Sequence, residues 1–235
     1  MGLGRYYPRN VYSLRTRFGR LFFRDNFGDI TNLVKVVCQG EYRVRQLPQR
    51  GAILDVGANI GMASVWFSRY NPGRPIHCFE PVPECAELIQ SSCPSAEVHA
   101  VAVGARPGRI ALQVDADHVI ASCIPTQWKT HTEQFEVVTL DDFSRARGLD
   151  EVALLKIDAE GMEVEILQGA RETLPRTAQV ILETHGRERH DQTIALLRDA
   201  GFAIDSQQFA GSTGLVFASR GSFPGSDGAA AVPAA

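Results

Sequence analysis

Residues 53–61 read Ile53-Leu54-Asp55-Val56-Gly57-Ala58-Asn59-Ile60-Gly61, and this stretch decides the fold class. A short apolar run ends in an acid, and a glycine-bearing turn then opens a segment of helix length. Short apolar runs bounded by turn residues are what buried strands look like. Glycine in such a turn lets a ligand approach bare backbone. Asn59, between Gly57 and Gly61, is of the non-glycine type that best tolerates positive φ, so the turn is feasible without a third glycine. The spacing is not the dinucleotide fingerprint G-x-G-x-x-G. The first turn of the following helix presents N–H groups to an anion such as a carboxylate. Asp55 at the strand end is placed to accept from an ammonium or to order a bridging water.

Working outward, apolar runs rich in β-branched residues recur at 52–56, 76–79, 97–103, 152–157 and 179–183. Helix-length amphipathic segments follow them at about 61–70, 83–92, 161–174 and 190–200. This alternation predicts a parallel sheet covered on both faces. Two further runs, 202–208 and 215–219, are joined by Ala210-Gly-Ser-Thr-Gly214 and predict an antiparallel hairpin. Residues 106–143 interrupt the alternation with strand-like pieces at 109–115 and 134–140, a natural place for substrate contacts by His118, His131 or Trp128. Residues 1–48 read as a helical extension, 49–220 as the α/β domain, and the Gly/Ala/Pro/Ser-rich stretch 221–235 as a disordered tail.

A second ligand signal lies 25 residues beyond the first acid. The run 76–79 ends in Glu80-Pro81, and an acid after the second strand of a nucleotide-binding sheet can hold a ribose through both hydroxyls. With Asp55, Gly57, Ala58, Asn59 and Gly61 on one strand end and Glu80 and Pro81 on the next, the pattern fits a mononucleoside carrying a carboxylate and an amine, and S-adenosylmethionine is the expected ligand. Ala102 and Asp158 complete the candidate cofactor contacts. NAD on a Rossmann sheet, serving an oxidoreductase, is the rival reading; it ordinarily comes with the missing third glycine.

Composition narrows the classes. Of 235 residues, 44% are hydrophobic and 22% charged, which excludes a disordered chain. The net charge of −3 makes the whole molecule no attractor for nucleic acid. Residues 1–24 nevertheless hold six arginines (Arg5, Arg9, Arg15, Arg17, Arg20, Arg24) interleaved with aromatics and no acid. This start is read as a cationic helix packing its aromatics on the domain, an RNA-binding arm being the alternative. Five cysteines without C-x-x-C spacing read as buried, reduced thiols, and the other histidines, including His77 and His99, show no ligand spacing. No apolar run approaches a membrane span, and the expected location is cytoplasmic. The oligomeric state stays open, a homodimer among the options.

The residues also resemble a known family, the FkbM-type S-adenosylmethionine-dependent methyltransferases. The likeness runs from about Gly28 to Arg220. It rests on Gly40-Glu-Tyr42, Leu54-Asp-Val-Gly-Ala-Asn-Ile-Gly61, Phe79-Glu-Pro81, Thr139-Leu-Asp-Asp-Phe143, Leu155-Lys-Ile-Asp-Ala-Glu-Gly161, Gly169-Ala170 and Glu183-Thr-His185. The resemblance implies a Rossmann-like class I methyltransferase fold with a seven-stranded, mostly parallel sheet, and usually O-methylation of a hydroxyl on a small natural product or sugar.

Methyl transfer from a sulfonium requires an aligned acceptor oxygen and, for an alcohol, removal of its proton. The reacting groups should lie outside the carboxyl ends of the central strands. Two runs deliver polar residues there: Lys156, Asp158 and Glu160 after one, Glu183 and His185 after the next. His185 is the leading base, because an imidazole titrates in the useful range. Asp158 is assigned to the cofactor amine or the acceptor, Glu183 to orienting His185 or the acceptor, and Lys156 is expected to have a carboxylate partner, since a lone buried ammonium is costly. A divalent cation on Asp158 and Glu183 is the mechanistic alternative; the favoured reading is metal-free. Asp141 and Asp142 are expected to serve helix capping.

Overall fold

A computed structural model describes residues 10–44, 46–115, 121–123 and 130–221. The chain opens with an antiparallel hairpin of β1 (Val11–Thr16) and β2 (Gly19–Arg24). Helix α1 (Phe27–Asn32) starts at Asn26, whose side chain accepts from the Asp29 N–H, and runs on as a π-helical stretch over Leu33–Cys38. Alternating units follow: β3 (Ala52–Val56), α2 (Met62–Tyr70), β4 (Ile76–Phe79), α3 (Pro83–Ser92) and β5 (Glu97–His99). Pro83 takes the first turn of α3, where a missing N–H costs nothing. Strands β6 (Ala102–Val103), β7 (Gly108–Asp115), β8 (Ala121–Ser122) and β9 (Thr130–Val138) form a second, four-stranded sheet. The chain then returns through α4 (Leu140–Arg147), β10 (Val152–Ile157), α5 (Glu163–Gln168), β11 (Thr177–His185), α6 (Arg187–Asp199), β12 (Ala203–Ala210) and β13 (Thr213–Ser219).

The main sheet has seven strands in the order β12-β13-β11-β10-β3-β4-β5. Six run in one direction, five of them (β11, β10, β3, β4 and β5) as adjacent parallel strands, and β13 is antiparallel to both its neighbours, β11 and β12. This is the expected α/β architecture with its C-terminal hairpin. Strands β3 and β10, at the centre, are buried at every residue, which is why both read as continuous apolar runs. The strand order reverses between them, so the crevice at their carboxyl ends is where this topology binds ligands.

The N-terminal region differs from expectation. The segment read as a cationic helix is a hairpin across 11–24. Thr16 accepts from the Phe18 N–H, and Gly19 takes φ +109° to turn the chain. Strand β1 lies outside the core on both faces, so the alternation that marks a half-buried strand is missing from its sequence. The packing falls to β2 and the turn: Leu21 is fully buried and Phe18 stacks on Trp66 at 5.6 Å. The four described arginines of this start, Arg15, Arg17, Arg20 and Arg24, do not form one stripe. Arg24 is buried in a two-pronged ion pair with Asp29, at 2.8 and 2.7 Å, and Arg17 lies over the Phe18 ring.

Smaller differences have local causes. The run 97–103 divides because the Val101 N–H bonds back to the His99 carbonyl, a tight turn that redirects the chain into the second sheet. The helix expected to 174 stops at Gln168, where Gly169 lies so close to the Gly104 carbonyl that a Cβ would sit 2.1 Å from it. Thr139 caps α4, accepting from the Asp142 N–H and donating to its carboxylate, and Asp141 accepts from Glu172 and Thr173, so both aspartates are structural. Cys38 and Cys123 are exposed rather than buried, and none of the five cysteines is in a disulfide. Among the described residues, no helix is long and apolar enough to cross a membrane. His118, Trp128, residues 1–9 and the tail beyond 221 lie outside the described residues.

Candidate active site

The crevice between β3 and β10 opens as a cleft of about 610 Å³ of atom-free space, its mouth included. Gly57, Asn59, Glu80, Pro81, Ala102, Asp158 and Glu160 line it, with Phe79, Val101, Val103, Leu112 and Met162 as apolar walls. Seven predicted site residues thus share one cavity. Asp55, Ala58 and Gly61, also expected to touch a cofactor, are not among its lining residues.

The turn at the cleft floor is internally satisfied. The Gly57 and Ala58 amides donate to the Phe79 carbonyl at 3.0 and 3.1 Å, the Gly61 amide to the Ala58 carbonyl, and the Asn59 amide to Glu80 Oε2 at 2.9 Å. The amides of the turn itself, Gly57, Ala58, Asn59 and Gly61, are therefore occupied, and this part of the turn acts by shaping the floor. Gly57 at φ +69° leaves no room for a side chain: a Cβ would stand 1.8 Å from the Asp158 carbonyl oxygen. Asn59 adopts φ +49°, as its residue type permits. The buried Glu80 carboxylate also accepts from the Val82 N–H, and burial, only partly offset by these two backbone bonds, pushes its pKa up to about 7.

Beneath the floor, Asp55 is completely buried and pairs with Lys156 at 3.0 Å while accepting from Ser64 at 2.5 Å. The Lys156 ammonium also donates to the Gly57 carbonyl at 2.7 Å and lies 5.6 Å from the Tyr42 ring centre. Lysine's expected carboxylate partner is thus Asp55. Burial works against the charge, but Asp55 and Asp158 outweigh it and keep the amine protonated. Both residues brace the turn from below instead of reaching a reactant, which corrects their assignment to cofactor contact and catalysis.

The acids above the floor form one cluster. Donor atoms of Asp158, Glu183 and His185 lie within 4.8 Å of one another, delivered by the adjacent ends of β10 and β11. His185 Nδ1 is 2.8 Å from Glu163 Oε1 and its Nε2 is 3.4 Å from Glu160 Oε2. A carboxylate only accepts, so Nδ1 carries a proton. Burial lowers the imidazole's pKa, but Glu163, Glu160 and Asp158 outweigh it and lift the value to about 9. The charge of Asp158, then burial, raises Glu183 to about 8. Burial and Asp158 together raise Glu160 to about 6. Glu160 holds φ +47°, a strained conformation for a non-glycine residue in a site loop.

Two contributors escaped the sequence reading. Tyr42 donates its hydroxyl to Asp158 Oδ2 at 3.2 Å, and burial followed by the Asp158 charge keeps the phenol protonated. Its only signal was its place in Gly40-Glu-Tyr42. Glu163, fully buried, stands in the first turn of α5, where an acid is ordinary and carries no signal of its own. A second group also comes together, away from the cleft: His77, Glu97 and His99, whose donor atoms lie within 4.8 Å of one another across β4 and β5.

The cleft suits S-adenosylmethionine on its own features. The acids Glu80, Asp158 and Glu160 line it against a cationic ligand, and an apolar lobe of Phe79, Val101 and Leu112 is fit to enclose a flat base. Fold and cleft define an α/β methyltransferase. The Methyltransferase FkbM domain matches residues 55–204, more than half of the chain, and the chain belongs to that family. Its cofactor is S-adenosylmethionine, which removes the NAD reading. Methyltransferase 1 of Beauveria bassiana is 29% identical over 54% of this chain and 61% of its own length. The 31-O-demethyl-FK506 methyltransferase FkbM of Streptomyces tacrolimicus is 27% identical over 86% of this chain and 94% of its length. The solved methyltransferase FkbM of Methylobacillus flagellatus superposes with a TM-score of 0.51 at 17% identity, over 74% of this chain and 45% of that one. The chain thus spans under two thirds of the Beauveria protein and under half of the Methylobacillus structure.

Proposed function

We propose that this chain is an O-methyltransferase acting on a hydroxyl of a small natural product or sugar. The observation that carries the reading is the base held beside the cleft: His185 is not among the lining residues, but its Nε2 lies 3.4 Å from Glu160, which is, and its Nδ1 is held by Glu163. An alcohol must lose a proton as its oxygen is methylated, and an imidazole oriented by a carboxylate is suited to take it. The relative from Streptomyces tacrolimicus, named for a 31-O position, supports oxygen as the acceptor atom.

S-adenosylmethionine supplies an electrophilic methyl on a cationic sulfonium. In this reading Glu80 would hold the ribose hydroxyls, and Asp158, which lines the same cleft, would pair with the amino group. Tyr42 fixes the Asp158 carboxylate by its hydrogen bond. Lys156 ties the Gly57 carbonyl to the β10 strand end and so keeps the floor at a set distance from Asp158. Carboxylate charge is what holds up the pKa values of His185 and Glu183, so positive charge entering the cleft drives both to release protons. His185 then becomes a neutral base facing the acceptor.

A second reading has an observation in its favour. Asp158, Glu183 and His185 lie close enough to share a divalent cation, which would lower the acceptor hydroxyl's pKa directly. Incubating the enzyme with labelled S-adenosylmethionine and a panel of sugars, polyols and polyketide alcohols tests the proposal. The expected product is an alkali-stable methyl ether, formed equally well after EDTA treatment. A methylamine or an alkali-labile ester would overturn the reading, and loss of activity with EDTA, in Glu97→Ala as well as in the unaltered chain, would replace the side-chain base by a metal in the cleft.

A further inference from the structure

We propose that His77, Glu97 and His99 form a binding site for a zinc-type divalent transition-metal ion, separate from the methyl-transfer cleft. The sheet register builds it. His77 of β4 stands opposite Glu97 of its parallel neighbour β5, so their side chains share a face. His99 lies two residues beyond Glu97 and repeats that face. No spacing along the sequence shows this, because the three residues meet only across the strands.

The distances favour an ion over a hydrogen-bonded trio. His77 Nδ1 is 3.4 Å from His99 Nε2 and 3.5 Å from one Glu97 oxygen, and His99 Nε2 is 4.0 Å from the other. A contact of 3.4 Å is long for a nitrogen hydrogen bond, which prefers about 2.9–3.0 Å. Donors bound to one tetrahedral ion at about 2.0–2.1 Å stand about 3.4 Å from each other. The rings are already fixed: Phe143 of α4 meets both edge-on at 5.3 and 4.8 Å, and Phe79 lies 5.1 Å from His99. Arg147 pairs with one oxygen of Glu97 and so steadies the carboxylate.

Two imidazoles and one carboxylate select zinc or a similar ion over magnesium or calcium, and three protein ligands leave a fourth position for water. The site touches the cofactor region through the backbone, since the Glu80 N–H donates to the His99 carbonyl at 3.1 Å. An ion here would staple the edge strand whose continuation, Val101–Val103, walls the cleft.

Untagged protein stripped with chelator and titrated calorimetrically with Zn²⁺ tests this. One ion per chain is expected. Glu97→Ala and His99→Gln should each weaken binding at least about tenfold, while Asp158→Asn leaves it within about twofold. Glu97 is half exposed, so its variant stands as the test even if His99→Gln does not fold. Co²⁺ bound to the unaltered chain should give the intense visible absorption of a tetrahedral site. Absence of binding, a weak octahedral spectrum, or loss in Asp158→Asn but not in Glu97→Ala would overturn the proposal.

Discussion

The molecule carries two clusters of imidazole and carboxylate, and they hold opposite charge states. At the ends of β10 and β11, four acids (Glu160, Glu163, Asp158 and Glu183) gather round one imidazole, and the first three push His185 up to about 9. On the face of β4 and β5, two imidazoles share the single acid Glu97, which Arg147 already engages, and burial holds both rings below their ordinary pKa. The same side chains thus give a proton-loaded base in one place and neutral ligands in the other. What decides is the number of carboxylates facing each ring and whether a guanidinium offsets them.

The comparison breaks most directly at the first cluster. His185→Ala or Asp158→Asn should lower methyl-transfer kcat about 10²–10⁴-fold, the usual contribution of a general base and its support. Near-normal steady-state rates in both would remove the assigned chemistry.

Each cluster has its own cation, and the two differ in burial. Lys156→Met leaves Asp55 with an uncompensated buried charge, and unfolding by denaturant should show a loss of about 3–5 kcal/mol. Arg147 is half exposed, and Arg147→Gln should move the denaturation midpoint far less. Equal midpoints for the two variants would mean that the Lys156–Asp55 pair does not brace the floor.

The pH dependence sharpens the contrast. A base works only when deprotonated, so kcat/KM should climb as pH rises toward about 9 and then level, following His185. Glu163→Gln removes the hydrogen-bonding carboxylate that raises this pKa, so the limb should move to lower pH by about one unit. An unmoved limb would assign it to another group. Stability follows the same sign: the folded pKa exceeds the unfolded one, so the His185–Glu163 contribution is full below about 6.5 and fades as pH rises through about 9. The mildest test is an NMR titration of the chelator-treated protein. His77 and His99 should titrate below the ordinary histidine value and His185 well above it; one shared midpoint would erase the comparison.

Much of the fold was legible because its signals are local. The buried strands at 52–56 and 152–157 announce themselves as apolar runs, and the turn at Gly57–Gly61 by its residue types. Lys156 drew attention because an ammonium in an apolar strand needs a partner, yet the partner, Asp55, sits on the neighbouring strand and looked like a ligand contact instead. The N-terminal hairpin was hidden because β1 buries neither face. Glu163 and the His77–Glu97–His99 group were hidden for a different reason. Their meaning comes from register and from packing between strands and helices, which no spacing in one chain records.

A crystal structure with bound S-adenosylhomocysteine tests the central claim most directly. The account predicts the ribose on Glu80, the adenine in the lobe of Phe79 and Leu112, and the sulfur facing the Asp158–Glu183–His185 cluster. An acceptor oxygen held by that cluster should then lie about 3–3.5 Å from the position of the transferred methyl. A sulfur directed away from the ends of β10 and β11, with those three side chains out of reach of the methyl position, would contradict it.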